Sequence, residues 1–314
     1  MNGSPIRIGV SSCLLGEKVR YDGQHKHDPY LTGTLGQFFE WVPVCPEVEC
    51  GLPVPREAMR LVGDPEQPRL VTRKTGIDHT ARMQAWARKR LRELEALDLH
   101  GFIFKRASPS SGLLRVKVYD ASGMPRPVGV GIWARAFTRH FPLLPVEEEG
   151  RLHDPALREN FIERVFALRR FRDRLAAGRS RAGLIEFHAR HKLQIMSHSP
   201  EKLRELGRLV AHAKELPPAE LYDRYQALFL ETLAVHATVR KHVNVLQHML
   251  GYFKRRLPAD EKAELVEAIE DYRAERVPLL VPLTLLRHHI RRSGETYLAD
   301  QTYLNPHPIE LRLR

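Results

Sequence analysis

The chain has 314 residues, of which 43% are hydrophobic, 28% charged and 8% aromatic, an ordinary globular usage that excludes disordered, collagen-like and coiled-coil classes. Lys and Arg total 50 against 38 Asp and Glu, a net charge of +12, and the three cysteines are too few and too odd in number for a disulfide framework. No run approaches the roughly 18 consecutive apolar residues of a membrane span, and Met1-Asn2-Gly3-Ser4-Pro5 holds no basic segment followed by an apolar one, so a cytoplasmic location without a membrane partner is expected.

In chain order, Ile6-Arg7-Ile8-Gly9-Val10 predicts a first buried strand and Trp41-Val42-Pro43-Val44 a second, each ending in a polar, Gly- or Pro-rich turn. His79 to Leu97 sets Met83, Trp86, Ala87, Leu91 and Leu94 at helical spacing, with Arg and Glu on the other face. Gly101-Phe102-Ile103-Phe104 reads as a third strand, and Arg115 to Tyr119 as a fourth with alternating faces. Strands separated by helices predict an α/β layer with a Rossmann-like parallel sheet. Pro142, Pro145 and the run Glu147-Glu148-Glu149-Gly150 read as a linker, dividing the chain into domains 1–147 and 148–314, in keeping with the length. Beyond it, Glu159–Leu175, Ala182–Lys192, Pro200–Lys214, Ala219–Phe253, Ala259–Glu275 and Pro282–Arg291 repeat apolar residues at three and four. Breaks at Gly178, Pro217-Pro218, Pro258 and Pro278 separate them, so the second domain is expected to be all-α. Residues 1–150 hold 21 basic and 17 acidic residues, net +4, and residues 151–314 hold 29 and 21, net +8.

Each cysteine sits just past an apolar run: Ser11-Ser12-Cys13 after the first, and Cys45-Pro46-Glu47-Val48-Glu49-Cys50 after the second. In an open α/β sheet, ligands bind in the crevice beyond the carboxyl ends of the strands, where the hydroxyl-rich loop Lys105 to Gly112 would also lie. Three thiols fall one short of a structural zinc site, which His25 or His27 would have to complete. Iron–sulfur clusters are usually held by four cysteines, so three would leave one iron without a protein thiolate and open to substrate. For any single cysteine, the alternative is a small buried apolar residue.

Three blocks of this sequence resemble the thiouracil desulfidase (TudS-type) family. They are Ser-Ser-Cys-Leu-Leu-Gly with Arg20-Tyr21-Asp22-Gly23, then Val44-Cys45-Pro46-Glu47 with Gly51-Leu52-Pro53-Val54-Pro55-Arg56, then Ser108-Pro109-Ser110-Ser111-Gly112. The helical half, through Phe187-His188, His191-Lys192, His242 to His248 and Gly251 to Lys254, resembles the domain fused to it in RudS-type desulfidases that act on 4-thiouridine. The resemblance implies a 4Fe-4S cluster on three cysteines with one open iron that binds the thiocarbonyl sulfur. Cys13 and Cys45 match two ligands; many relatives carry Cys where this chain has Ser111, and Cys50 is assigned as the compensating third ligand. It further implies Glu47 as general acid/base and Ser108 as a catalytic hydroxyl, with Ser12, Ser110, Ser111 and Arg20 binding substrate. Without the resemblance, Glu47 reads as a capping or turn carboxylate and Ser108 as a turn residue before Pro109.

The basic clusters Arg169 to Arg174, Arg179-Ser180-Arg181, Lys254-Arg255-Arg256 and Arg287 to Arg292 carry the electrostatic mark of a nucleic-acid binder, or else are solvated helix faces. Phe171, Tyr252 and Phe253 beside them would stack on bases or belong to the core, and His188, His191, His242 and His248 read as structural or phosphate-contacting. The expected partner is tRNA or a thiolated pyrimidine nucleotide, and the expected reaction is desulfuration of 4-thiouridine to uridine. A desulfidase of free thiouracil and a non-catalytic RNA-binding protein with a zinc or redox-sensing site are the alternatives. Oligomeric state is left open.

Overall fold

A computed structural model describes residues 5–254, 256–311 and 313; the first four residues and Arg255 of the third basic cluster lie outside them. The chain divides into two compact units, residues 1–161 and 162–314.

The first unit runs β1 (Ile6–Ser11), β2 (Phe39–Val44), a one-turn helix α1 (Pro46–Glu49), β3 (Met59–Val62), β4 (Arg69–Thr72), α2 (Thr80–Glu95), β5 (Gly101–Phe104), β6 (Val116–Tyr119), β7 (Pro125–Gly129), α3 (Ile132–His140) and β8 (Val146–Glu148). Four of these strands pair all-parallel in the order β2-β1-β5-β8, with Ile8 opposite Trp41 on one side and Gly101 on the other. The central strands are buried on both faces, which is why they read as continuous apolar runs; all of β5 is buried. The α/β reading is therefore correct, with one exchange of strands. The expected fourth strand, β6, leaves this sheet and pairs with β3 and β7 in a second, mixed sheet ordered β4-β3-β6-β7.

The fourth place in the parallel sheet goes to Val146–Glu148, inside the stretch expected to be a linker. Its acidic run is structural. Glu148 accepts the amides of Leu113 (2.8 Å) and Leu114 (3.1 Å), and Glu149 accepts the amide of Arg106 (2.6 Å) and pairs with Lys105. Glu148 and Glu149 thus fasten the segment that follows β5, while Glu147 pairs with Arg151 at 2.7 Å.

Helix α2 buries Met83, Ala87, Leu91 and Leu94, as its spacing predicts. Helix α3 lies between the two sheets. Trp133 and Phe137 pack on Phe102 of the parallel sheet at ring separations of 6.1 and 4.6 Å, and Ile132 joins Leu61, Leu70, Met83, Val116 and Val118 in the core under the mixed sheet. The inner face of β6 is Val116 and Val118; Lys117 and Tyr119 alternate to the outer face.

The second unit is helical, as expected: α4 (Pro155–Ala176, which begins in the first unit), α5 (Arg181–His198), α6 (Pro200–Ala211), α7 (Pro218–Ala234), α8 (Val239–Gly251), α9 (Ala259–Arg273) and α10 (Leu280–Ser293). The long helix expected over Ala219–Phe253 is two. Thr238 leaves the helical conformation and caps α8, its hydroxyl accepting the amide of Lys241, while the Val235 carbonyl at the end of α7 accepts from His198 Nδ1 at 2.6 Å. No Pro or Gly marks this break.

Candidate active site

β1 lies between β2 and β5, so the chain passes to opposite sides of it, and the crevice beyond the strand ends at such a switch point is where open α/β sheets bind ligands. Here that crevice is a cleft of about 360 Å³. Ser11 closes β1, and its hydroxyl accepts the Lys105 amide at 3.0 Å, tying the ends of β1 and β5 together. A 3-10 turn, Ser12–Leu15, then ends at Gly16 with φ 97° and sets buried Ser12 and Cys13 on the cleft wall. At the end of β2, extended Cys45 precedes Pro46 at the start of α1. The carboxylate that caps this helix is Glu49, which accepts the Cys45 amide at 2.8 Å. Glu47, relieved of that task, turns its side chain into the cleft.

Three elements converge on Glu47. The Ser110 hydroxyl donates to one carboxylate oxygen; the Cys45 thiol donates to the other at 3.6 Å, and Arg56 Nη2 stands 3.9 Å from that second oxygen. The Glu47 and Arg56 side chains are only 13% and 8% exposed, so this pair is shielded from water. Ser110 spends its proton on Glu47, so in the 2.9 Å contact between the Ser108 and Ser110 hydroxyls the donor is Ser108. Ser108 Oγ also accepts the amides of Ser110 (3.3 Å) and Ser111 (3.1 Å). The Ser108 oxygen therefore shapes the loop, while its proton points down a hydroxyl chain that ends at Glu47.

The loop is held from behind by α3. The Ser110 carbonyl accepts from the amides of Trp133 (2.9 Å) and Ala134 (3.2 Å) at the start of that helix. Gly131 allows this approach, because a Cβ there would stand 2.3 Å from the Ser110 oxygen.

Cys13 and Cys45 line the cleft. Burial, reinforced by the negative charge of Glu47, pushes Cys13 up to about 11 and Cys45 up to about 12, so both are thiols at neutral pH. Cys50 is half-buried; its sulfur donates to the Glu47 carbonyl at 3.2 Å, its side chain packs against the core under the mixed sheet, and it is no part of the cleft wall. Ser111 is on the wall. Among the described residues, no three His, Cys, Asp or Glu side chains are gathered closely enough to hold a metal ion. His25 and His27 are exposed and bond to their own loop, His27 Nε2 to Thr32 at 2.9 Å. The soft, buried donors Cys13 and Cys45 fit an iron–sulfur group, and Cys50 joins them only if its bond to the Glu47 carbonyl is released.

Ser12, Arg20, Ser108 and Ser111 line the cleft, and Ser110 is fully buried and bonded to Glu47. Sequence reasoning missed the charge of the wall. Arg20, Lys26, Arg56, Arg73, Lys105 and Arg106 surround Glu47, the one carboxylate on this wall among the described residues. Arg56 stands at the end of the Gly51–Arg56 block, the one signal that singles it out.

In the helical unit, much of the basic character is used internally. Arg170 donates to the Pro306 carbonyl at 2.7 Å, Arg181 to those of Ala213 and Leu216 at 2.8 Å each, and Arg287 to that of Leu304. Arg169, Arg256 and Arg292 pair with Asp173, Glu295 and Glu261. Phe171 and Phe253 are fully buried, and Tyr252 stacks on Tyr297 at 5.4 Å. His188 and His242 bond the hydroxyls of Tyr225 (3.1 Å) and Tyr303 (2.8 Å), whereas His248 is exposed.

Residues 8–149 match the family described as 2-thiouracil desulfurase, and residues 192–308 match a family described as a protein of unknown function, DUF1722. The uncharacterized protein YbgA of Escherichia coli K12 is 32% identical over 152 residues, which make up 48% of this chain and 90% of YbgA. The solved structure of the 4Fe-4S-dependent thiouracil desulfidase TudS is 33% identical over 47% of this chain and 93% of its own, with a TM-score of 0.39.

Proposed function

This chain belongs to the 2-thiouracil desulfurase family through residues 8–149, and on that footing we propose that it is an iron–sulfur-dependent desulfidase that replaces the thiocarbonyl sulfur of 4-thiouridine, in tRNA or as a nucleotide, with oxygen. The supporting observation is the convergence of Cys13, Cys45, Glu47 and the Ser108–Ser110 pair on one cleft at the switch point of the sheet. The reaction consumes water: a C–O bond forms at the ring carbon, the C=S bond breaks, and sulfur leaves as hydrogen sulfide without net oxidation or reduction. Cys13 and Cys45 would hold the cluster, with Cys50 completing it, and the bound group supplies a Lewis acid for the departing sulfur.

The chain's own residues move the protons. Glu47 takes a proton from the attacking water and returns one to the leaving sulfur, a task for a carboxylate in a shielded cleft. Ser110 and Arg56 hold that carboxylate from two sides, so it faces the cleft in one orientation. Ser108 keeps the relay pointed at Glu47 and fixes the loop through the amides of Ser110 and Ser111. Arg20 and the hydroxyls of Ser12 and Ser111 lie where they would meet the polar edge of a pyrimidine or its ribose.

Anaerobic reconstitution with iron and sulfide, followed by incubation with thiolated tRNA, 4-thiouridine monophosphate and 2-thiouracil, tests this reading. Loss of the thiocarbonyl absorbance with stoichiometric sulfide release is expected on at least the nucleoside-containing substrates. Turnover of 2-thiouracil alone would assign the free base, and no turnover of any of the three would overturn the reaction.

A further inference from the structure

A second cleft of about 820 Å³ opens beside the cysteine cleft, and the two share Met59, Arg73, Arg106, Ala107 and Pro109 on their walls. Among the described residues, its wall carries Arg60, Arg73, Arg106, Arg115, Lys117 and Arg151 against one carboxylate, Glu148. Glu148 is committed to the amides of Leu113 and Leu114, and Arg151 is paired with Glu147 at 2.7 Å. The side chains of the other five cations enter no ion pair among the described residues. Like charges gathered in a cleft repel one another and focus a strong positive potential, an arrangement suited to a polyanion.

The outer face of the mixed sheet supplies the rest. Arg60 of β3 and Lys117 and Tyr119 of β6 stand on the face turned away from the core, and the Arg60 guanidinium lies 5.0 Å over the Tyr119 ring. Arg60 Nε is buried without a hydrogen-bond partner among the described residues. An open sheet face that offers cations and an aromatic platform is a recurrent surface for single-stranded RNA. One phosphate would not need five unpaired cations or a cleft more than twice the volume of the one beside the cysteines.

We propose that this second cleft is an RNA-backbone site. Phosphates flanking the reacting nucleotide lie along Arg73, Arg106, Arg115 and Lys117 on the catalytic unit itself, while the base enters the cysteine cleft. The identity of that base rests on the desulfidase reading; the phosphate track does not, and it is tested by binding alone.

The full-length protein is titrated onto a fluorescein-labelled tRNA transcript, which carries no thio group, at several salt concentrations. The double variant Arg115→Glu with Lys117→Glu is compared with Arg88→Glu with Arg92→Glu, an equal change of charge on the exposed face of α2. Thermal unfolding of both variants confirms that they are folded. The track variant is expected to lose at least tenfold in affinity and to flatten the slope of log K against log salt by roughly one unit per lost phosphate contact, whereas the α2 variant binds nearly as the parent does. Equal weakening by both variants, or no weakening by the track variant, overturns the proposal. So does competition by uridine monophosphate at concentrations as low as those of tRNA, which assigns a one-phosphate site instead. RNA binding that depends on the track in a protein that desulfurates nothing upholds this inference and sinks only the reaction.

Discussion

Glu47 holds the site together at the scale of single residues, because one carboxylate meets Ser110, the Cys45 thiol and Arg56. Glu47→Gln keeps an oxygen to accept from Ser110 but cannot carry a proton between water and sulfide. The expected outcome is a loss of about 10²- to 10⁴-fold in kcat, the usual range for removing a general acid/base, with iron content after reconstitution unchanged. Parallel measurement of bound iron and of thiocarbonyl loss checks it; normal turnover would remove Glu47 from the proton path. Glu47, Cys13, Cys45 and the serine loop are legible in the sequence because each follows an apolar strand and matches a family block. The positive charge of the wall is not: Lys26 and Arg73 carry no motif, and they join Arg56, Lys105 and Arg106 in one cleft only when loops distant along the chain fold together. Cys50 is assigned to the cluster by counting thiols, and the fold adds what that count cannot show: its sulfur donates to the Glu47 carbonyl, a bond it would give up to serve as the third ligand.

At the scale of elements, the start of α3 acts as the anvil for the serine loop. Gly131 has φ −59° and ψ 149°, a conformation any residue can adopt, so its requirement is steric and not conformational. A Cβ at this position would lie 2.3 Å from the Ser110 oxygen, 2.5 Å from its carbonyl carbon and 2.9 Å from the Ser111 nitrogen, all backbone atoms that cannot rotate aside. Gly131→Ala should therefore push the loop away from Glu47. A destabilisation of about 1–3 kcal/mol is expected from such overpacking, with a fall in kcat larger than that of an equally destabilising substitution in the helical unit. Unfolding midpoints and kcat for the two variants decide it, and an unchanged kcat in Gly131→Ala would mean the loop is positioned from elsewhere. The same elements mark how far periodicity reads. It finds β1, β2, β5, α2 and the helical segments of the second unit, though it runs α7 and α8 together, and it cannot see which sheet β6 joins, because an alternating strand fits either. Nor does it find β8, where the run Glu147-Glu148-Glu149 at and just past its end reads as solvent-exposed until the amides it accepts are in place.

Across the whole molecule, net charge is a poor guide to where charge is available. The helical half has the larger excess, yet Arg170, Arg181 and Arg287 close carbonyls inside that unit. Its buried histidines pay a related cost. His188 is pushed down to about 4, first by burial and then by Lys192, and His191 falls well below its ordinary value through burial and the Arg170 guanidinium. His191 is locked as the neutral Nδ1–H form, because Nδ1 donates to the Phe187 carbonyl (2.7 Å) while Nε2 accepts from Arg170 (3.2 Å). Both rings are neutral when folded but protonate near pH 6.5 when unfolded, so protons bind preferentially to the unfolded chain. The stability they confer is complete above pH 6.5 and is lost as pH falls toward 4. For His188 alone, a displacement from 6.5 to about 4 corresponds to about 3 kcal/mol. Amide hydrogen exchange in α5 at pH 7.5 and 4.5, corrected for intrinsic rates, should show opening become easier in acid. His188→Gln keeps a polar partner for Tyr225 without a titrating ring and should flatten that dependence, whereas equal pH dependence in parent and variant would place the acid sensitivity elsewhere.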